Sequence, residues 1–312
     1  MRKSKLLLSF VLTACVAASG ELRAQQVGDP DFKPRIEKPA YTESRGPVVG
    51  LDEAHFNFHT AEGRYKPFAE LLRRDGYVVK PFTSKFSRES LREIRILVIA
   101  NSLAERNSKD DWSLPTPSAF TDEEVAAVRD WVKGGGALLL IADHMPMPGA
   151  VEKLAAAFGL RWNNGFAVEP NAASGTMIFK RADGTLIDHA ITNGRTKAER
   201  VESVATFTGS AFQADKDAKP LLVFGDKVIS LMPEVAWQFK DETPRVPVKG
   251  WFQGAVLRFG KGRVAAFGEA AMFSAQLAGP NKQPMGMNAP VAAQNHQLLL
   301  NVLHWLSGLL KD

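Results

Sequence analysis

Residues 137–149 read ALLLIADHMPMPG. Leu138 to Ala142 form an unbroken apolar run, the mark of a strand buried on both faces. Asp143 and His144 follow at once, and then Pro146, Pro148 and Gly149 forbid the strand to continue. Gly134, Gly135 and Gly136 precede the run and close off an amphipathic helix. Helix, glycines, buried strand and charged loop describe one wind of a parallel α/β sheet. Ligands bind at the carboxyl edge of such sheets, so the stretch predicts a site position along with a fold class.

Upstream, Thr121 with Glu124 three residues on is a capping box, and Val125, Val128 and Val132, with Trp131, are the buried stripe of the helix it starts. Apolar runs predict strands over Val48–Leu51, over Tyr77–Val79 and within Arg92–Ala100. A helix begins near Pro67, with Phe68, Leu71 and Leu72 inward, and ends at Asp75-Gly76. The polar loop from Asn101 to Ala119 carries Pro115 and Pro117, and a loop of that length in an α/β unit tends to be a lid or an insertion.

Downstream, a helix over roughly 150–158 ends at Gly159. Runs such as TMIFKRADGTLI, with a hairpin-like Asp183-Gly184, and LLVFGDKVISLM suggest β-rich additions instead of further winding. Trp251 to Phe267 reads as two antiparallel strands about Gly260-Lys261-Gly262, and a last helix, roughly Gln294 to Leu306, is apolar on nearly all sides.

At the N-terminus, Arg2, Lys3 and Lys5 precede an apolar stretch from Leu6 to Ala18, the pattern of an export signal and too short to span a bilayer. Cleavage after Ala24 and lipidation at Cys15, within the lipobox-like Leu12-Thr13-Ala14-Cys15, both stay open. The expected organisation is a signal over 1–24 (1–14 for a lipoprotein), a Pro-rich linker or arm over 25–46, and one α/β domain over 47–312 with a β-rich insertion at about 170–250. The expected location is the periplasm or cell envelope, or the outer surface as a lipoprotein, with no transmembrane segment. Cys15 is the only cysteine, so the domain has neither a disulfide nor a thiol nucleophile. Most of the formal charge of +5 leaves with the signal, and no basic cluster remains to argue for nucleic acid.

Four strand ends carry the polar chemistry. Asp52, Glu53, His55, Asn57 and His59 follow the first; Asn101 and Ser102 follow the third; Asp143 and His144 the central one; Glu269 the last. In a parallel sheet these ends share one edge. If DEAHFNFHT (52–60) is extended, Glu53, His55, Asn57 and His59 face one way; if helical, His55 and His59 are neighbours at i and i+4. Either way two imidazoles are presented together. With His144 they make a metal set, His55, His59 and His144, for a divalent ion such as zinc. Glu53, Asp143, His144 and Glu269 are the catalytic candidates, with Glu53 or Glu269 positioned to take a proton from bound water. Asp52, Asn57, Asn101 and Ser102 are the ligand-binding candidates.

The competing reading is a hydrogen-bonded polar plug that ties strand ends together, or a ligand site without chemistry. No HExxH spacing supports a metal, and no GxSxG supports a serine hydrolase, which leaves Ser102 and Ser274 as weak nucleophile candidates. Asp188-His189 reads as a turn feature. His296 could reach the sheet edge or cap its helix, and His304 reads as a satisfied core histidine.

VVGLDEAHFNFHTAEGRYKPFAELL, FTDEEVAAVRDWVKGGGALLLIADHMPMPGA, FGKGRVAAFGEAAMFSAQ and NHQLLLNVLHWL resemble an uncharacterised family of exported bacterial proteins. That family is similar to class I glutamine amidotransferase-like domains, including trehalose-utilisation-type and gliding-motility/intraflagellar-transport-type relatives. The resemblance covers residues 47 to 307 and implies a flavodoxin-like, three-layer, mostly parallel sheet with β-rich additions in the second half. It also implies a cysteine on the elbow after Leu138–Ala142. Asp143-His144-Met145 stand there instead, so thiolate glutaminase chemistry is excluded. Two functions remain: binding of a small molecule or glycan with metal-assisted hydrolysis, and a purely non-catalytic binding module. Whether the protein is an enzyme stays open at this point.

Overall fold

The computed structural model describes residues 26–170 and 175–312; the signal segment, Cys15 and the lipobox lie outside the described residues. Nine strands form the central sheet. They are β1 (Val48–Asp52), β2 (Val78–Phe82), β3 (Ile96–Ala100), β4 (Ala137–Ile141), β5 (Leu160–Trp162), β6 (Phe212–Ala214), β7 (Lys219–Val223), β8 (Phe252–Phe259) and β9 (Gly262–Phe267). The order along the sheet is β2-β1-β3-β4-β9-β8-β6-β5, with β7 also pairing β8. From β2 to β9 every pairing is parallel, and from β9 onward every pairing is antiparallel. The fold is mixed α/β with a mostly parallel core.

The apolar runs of β3 and β4 are buried along their whole length because helices cover both faces. Alternate residues face opposite ways. Ile96, Val98, Leu139 and Ile141 pack with α1 (Lys66–Arg74) and α4 (Asn295–Ser307), while Leu97, Ile99, Leu138 and Leu140 pack with α2 (Asp122–Lys133) and α3 (Met147–Ala156). The capping box at Thr121 and Glu124 forms as expected, and so does the hairpin joining β8 to β9. Close contact sets the glycine there: a Cβ on Gly262 would collide with the carbonyls of Val132 and Gly136.

One expectation about the additions needs correction. Asp183-Gly184 does not close a hairpin. Met177–Lys180 pairs instead with Ser203–Thr206, and Leu186 makes a bridge to Leu222. Within LLVFGDKVISLM the two strands do not pair with each other: β7 joins the central sheet, while Ile229–Leu231 lies between Phe166–Val168 and Arg245–Pro247. A turn signal marks where a chain bends, not which strand takes up the freed backbone groups.

The Pro-rich arm is fastened at both ends. Gln26–Gly28 adds to a small sheet beside Ala275–Ala278, and Asp75 accepts from the Ala40 amide at 2.7 Å. Asp75 also bonds His304 Nε2 at 2.7 Å, with both side chains fully buried. His189 accepts from the Ile191 amide and caps the short helix Ala190–Asn193. The last helix begins without a side-chain cap. Among the described residues no helix is long and apolar enough to cross a membrane.

Candidate functional site

The carboxyl ends of β1, β3, β4 and β9 meet on one edge, and the loops leaving them interlock. The loop after β1 is neither extended nor helical. Phe56 sits at φ +47°, which turns the chain back on itself. Asn57 Nδ2 therefore donates to the Asp52 carboxylate at 3.0 Å, which His55 Nδ1 also reaches at 2.9 Å. Asn57 Oδ1 accepts from the His55 amide at 3.1 Å. Glu53 accepts from the Ala61 amide at 2.8 Å and staples the far side of the loop.

His55 Nε2 lies 2.9 Å from Glu124 Oε1, so the imidazole is clamped between two carboxylates. Burial pulls its pKa down. The hydrogen bonds and charges of Asp52, and then of Glu124, outweigh burial and hold it above the ordinary 6.5. Glu124 is pushed up by burial, but the Thr121 amide, His55 and the Phe86 amide outweigh that and hold it below 4.5. One residue thus caps α2 and ties that helix to the end of β1. Phe86 and Phe120 pack their rings 4.5 and 4.8 Å from the imidazole.

His59 is a different case. Asn101, at φ +49°, accepts from the Asp143 amide through Oδ1 at 2.9 Å, which turns its Nδ2 toward His59 Nδ1 at 3.2 Å. Nδ1 must accept, so the proton sits on Nε2, which is buried and has no partner among the described residues. Burial first, then the electrostatic effects of the neighbouring Arg64 and His144, lower the pKa to about 3 and keep the ring neutral. Ser102 Oγ is likewise buried and unpartnered among the described residues.

Asp143 accepts from the His144 amide at 2.8 Å and the Thr208 hydroxyl at 3.2 Å, and Ala270 N approaches it at 3.4 Å. Glu269 is fully buried and accepts from the Ala271 and Met272 amides at 2.8 and 2.7 Å. Burial, then the charge of Asp143, raise its pKa well above 4.5 against the pull of those amides. The turn holding it forms because Gly209, at φ +124°, and Gly268 let the 208–210 loop press on the end of β9.

His144 donates Nδ1–H to the Met145 carbonyl at 2.7 Å, leaving Nε2 as the ring's acceptor. It stacks on Phe166 at 4.6 Å and meets the edge of Trp237 at 4.6 Å. Rings continue on both sides of it. Phe58 and Trp112 lie 6.0 Å apart, Trp112 and His144 6.1 Å, and Phe166 and Phe239 5.1 Å. Trp237 is 52% exposed at φ +68°, and Phe239 is 42% exposed. This aromatic wall was not foreseen. Its members come from four loops, carrying Phe58, Trp112, His144 and Trp237 with Phe239, and from the strand at Phe166, all far apart in sequence, so no periodicity marked them.

The structure brings Asp52, His55 and Asn57 together and, beside them, His59, Asn101, Asp143 and Glu269, while Glu53 is turned to the far side of its loop; the metal set His55, His59 and His144 needs correction. Both ring nitrogens of His55 are held by carboxylates, and His59 has one nitrogen bonded and the other carrying a proton. Among the described residues no group of three or more His, Cys, Asp or Glu is placed to hold a metal ion. These residues do not fit zinc.

No family model and no curated protein matches the chain. Among solved structures, the N-terminal domain of mmIFT52 superposes with a TM-score of 0.58 at 14% identity, covering 83% of this chain and 97% of that one. ThuA-like proteins from Bacteroides uniformis and Parabacteroides merdae superpose at 0.45 and 0.44, with 14% and 10% identity. They cover 89% and 86% of this chain and 95% and 92% of their own. At such identities a likeness concerns fold alone, and the first of the three carries it.

Proposed function

We propose that this is an exported, amidotransferase-like module without glutaminase activity, which binds a small molecule or glycan along the aromatic wall at the strand carboxyl ends. The order β2-β1-β3-β4-β9 follows the flavodoxin-like pattern, whose ligands sit where the strand order reverses. The likeness to the mmIFT52 domain supports the amidotransferase-like reading, since the resemblance includes intraflagellar-transport-type relatives. Where such relatives carry a cysteine, Asp143 and His144 stand.

One observation carries the binding reading. The polar side chains at the strand ends are largely spent on one another, whereas Trp237 and Phe239 remain exposed beside the acceptor nitrogen of His144. An exposed indole face stacks on the C–H face of a sugar ring, and an adjacent acceptor takes a hydroxyl proton. Titration of the protein against a panel of neutral and acidic oligosaccharides tests this. Binding without turnover, weakened roughly tenfold in Trp237→Ala, is the expected result; about 1.4 kcal/mol of lost stacking corresponds to that factor. An intact affinity in the variant removes the wall from the site.

The catalytic reading rests on Glu269, a buried carboxyl whose proton affinity is raised by burial and by the neighbouring Asp143 carboxylate. Product release in the same titration, lost in Asp143→Asn, would favour it over the module.

A further inference from the structure

Two glycine turns meet at the amino edge of the sheet, opposite the aromatic wall. Gly134-Gly135-Gly136 leads from α2 into β4, and Gly260-Lys261-Gly262 leads from β8 into β9. The Lys261 amide donates to the Lys133 carbonyl at 3.0 Å and the Arg263 amide to the Gly136 carbonyl at 3.3 Å, which laces the turns together. Arg95 stands just before β3 on the same edge, and α4 ends beside them at Gly308. Between these segments lies a cavity of about 90 Å³ lined by four cations, Arg95, Arg258, Lys261 and Arg263. Gly308, at φ +91°, lets Arg263 come close: a Cβ there would lie 3.3 Å from Arg263 Nη1.

Like charges gathered round one small space repel unless each meets a counter-charge. Arg258 is paired with Asp312. Arg95 and Arg263 each donate from Nη1 to a carbonyl at a helix end, that of Gly135 after α2 and that of Trp305 in α4. Capping of this kind uses one of the five N–H groups of each guanidinium. Among the described residues no carboxylate is ion-paired with Arg95, Lys261 or Arg263. The crowding is felt at Arg263, where burial and then the charge of Arg258 lower the proton affinity, Asp312 opposes them and Arg95 adds to them.

The spare donors are within reach of a ligand, since Arg95, Arg258 and Lys261 are exposed and Arg263 is half-buried. The Gly135 and Gly136 amides are spent on the Val132 and Trp131 carbonyls, so side chains alone would hold an incoming group. A group with several acceptor oxygens and more than one negative charge suits them. The cavity takes one tetrahedral oxyanion but not a sugar ring. A wider groove of about 600 Å³ shares Arg95, Gly135 and Gly136 with it, adds Arg88 and Trp131, and leaves room for whatever carries the anion.

We propose that this cavity is an oxyanion site, in which Arg95, Lys261 and Arg263 take one phosphoryl or sulfuryl group at the sheet edge remote from the wall. It does not depend on the glycan reading.

Calorimetric titration of the full chain with inorganic phosphate and with sulfate, at pH 7.5 in chloride-free buffer, tests it. One saturable site is expected for each anion. Arg95→Gln and Lys261→Gln should each weaken phosphate roughly tenfold, the loss of one charge-assisted contact, and Arg95→Lys should recover part of that loss. Lys66→Gln, at the start of α1 on the opposite edge, should leave the affinity as it is. No saturable binding of either anion to the wild type overturns the proposal, and so does a phosphate affinity that survives Arg95→Gln combined with Lys261→Gln. Co-sedimentation with phosphatidylglycerol vesicles, against phosphatidylcholine vesicles, identifies the source. Sedimentation with the anionic vesicles that phosphate competes away and the double variant loses makes the group a lipid headgroup; phosphate binding without it makes the group a free phosphate or a small ester.

Discussion

His55 and His59 stand four residues apart in one loop, and they end up in opposite electrostatic states. His55 has a carboxylate on each ring nitrogen and a raised pKa. His59 has an amide on one nitrogen, nothing on the other among the described residues, and a pKa of about 3. Both are almost fully buried. Burial alone therefore does not set the role of a histidine; the partners waiting in the pocket do. His55 was drawn into tying β1 to α2, whereas His59 was left with a donor to offer.

The largest expected effect follows from that difference. His55→Ala leaves the Asp52 and Glu124 carboxylates buried without the ring between them, and should lower stability by roughly 3–5 kcal/mol. His59→Phe keeps the ring packing and leaves only the Asn101 amide short of an acceptor, at a cost of about 1–2 kcal/mol. Urea unfolding of both variants measures the gap. Equal losses would mean that the two histidines share one structural role.

The pH dependence separates them further. His55 has a raised pKa, so its stabilisation is complete below the ordinary 6.5 and is lost as the pH climbs through the raised value. Glu124 has a lowered one, so its share is complete above 4.5 and is lost as the pH falls through the lowered value. His59 binds its proton more weakly folded than unfolded, and stability drains away as the pH falls from 6.5 toward 3. Relative to wild type, His55→Gln should flatten the alkaline limb of the stability curve and His59→Phe the acid limb. Urea midpoints across pH 3 to 9 would show it; a single limb altered by both variants breaks the comparison.

The parts of this molecule that could be read in advance are those governed by local rules. Ile96–Ala100 and Ala137–Ile141 announce buried strands because every residue is apolar, and Thr121 with Glu124 announces a helix start because both partners lie within one turn. The second role of Glu124 was illegible, since His55 lies 69 residues away and nothing in either neighbourhood encodes the meeting. The loop 52–60 was misread as extended or helical because a positive φ at a phenylalanine has no local signature. Trp112, Phe166, Trp237 and Phe239 escaped notice for the same reason as Glu124. Their assembly depends on the pairing of loops 112–114 with 234–236 and of strand 229–231 with 166–168.

The smallest predicted effect tests whether the two regions hold strain for different ends. Phe56 at φ +47° and Trp237 at φ +68° are both bulky, both more than half exposed, and both in the left-handed region that disfavours side chains. At either position glycine should outperform alanine by about 1 kcal/mol, because the alanine Cβ keeps the steric penalty and glycine does not. At Phe56 the relief should come without loss of binding, since that turn serves to bring Asn57 back onto Asp52 beside His55. At Trp237 the same relief should remove the stacking face, so Trp237→Gly is expected to unfold later than Trp237→Ala and yet bind as weakly. Thermal unfolding and oligosaccharide titration on the four variants decide it. If Phe56→Gly also abolishes binding, the strain at Phe56 belongs to the ligand site as well, and the line drawn between clamp and wall moves.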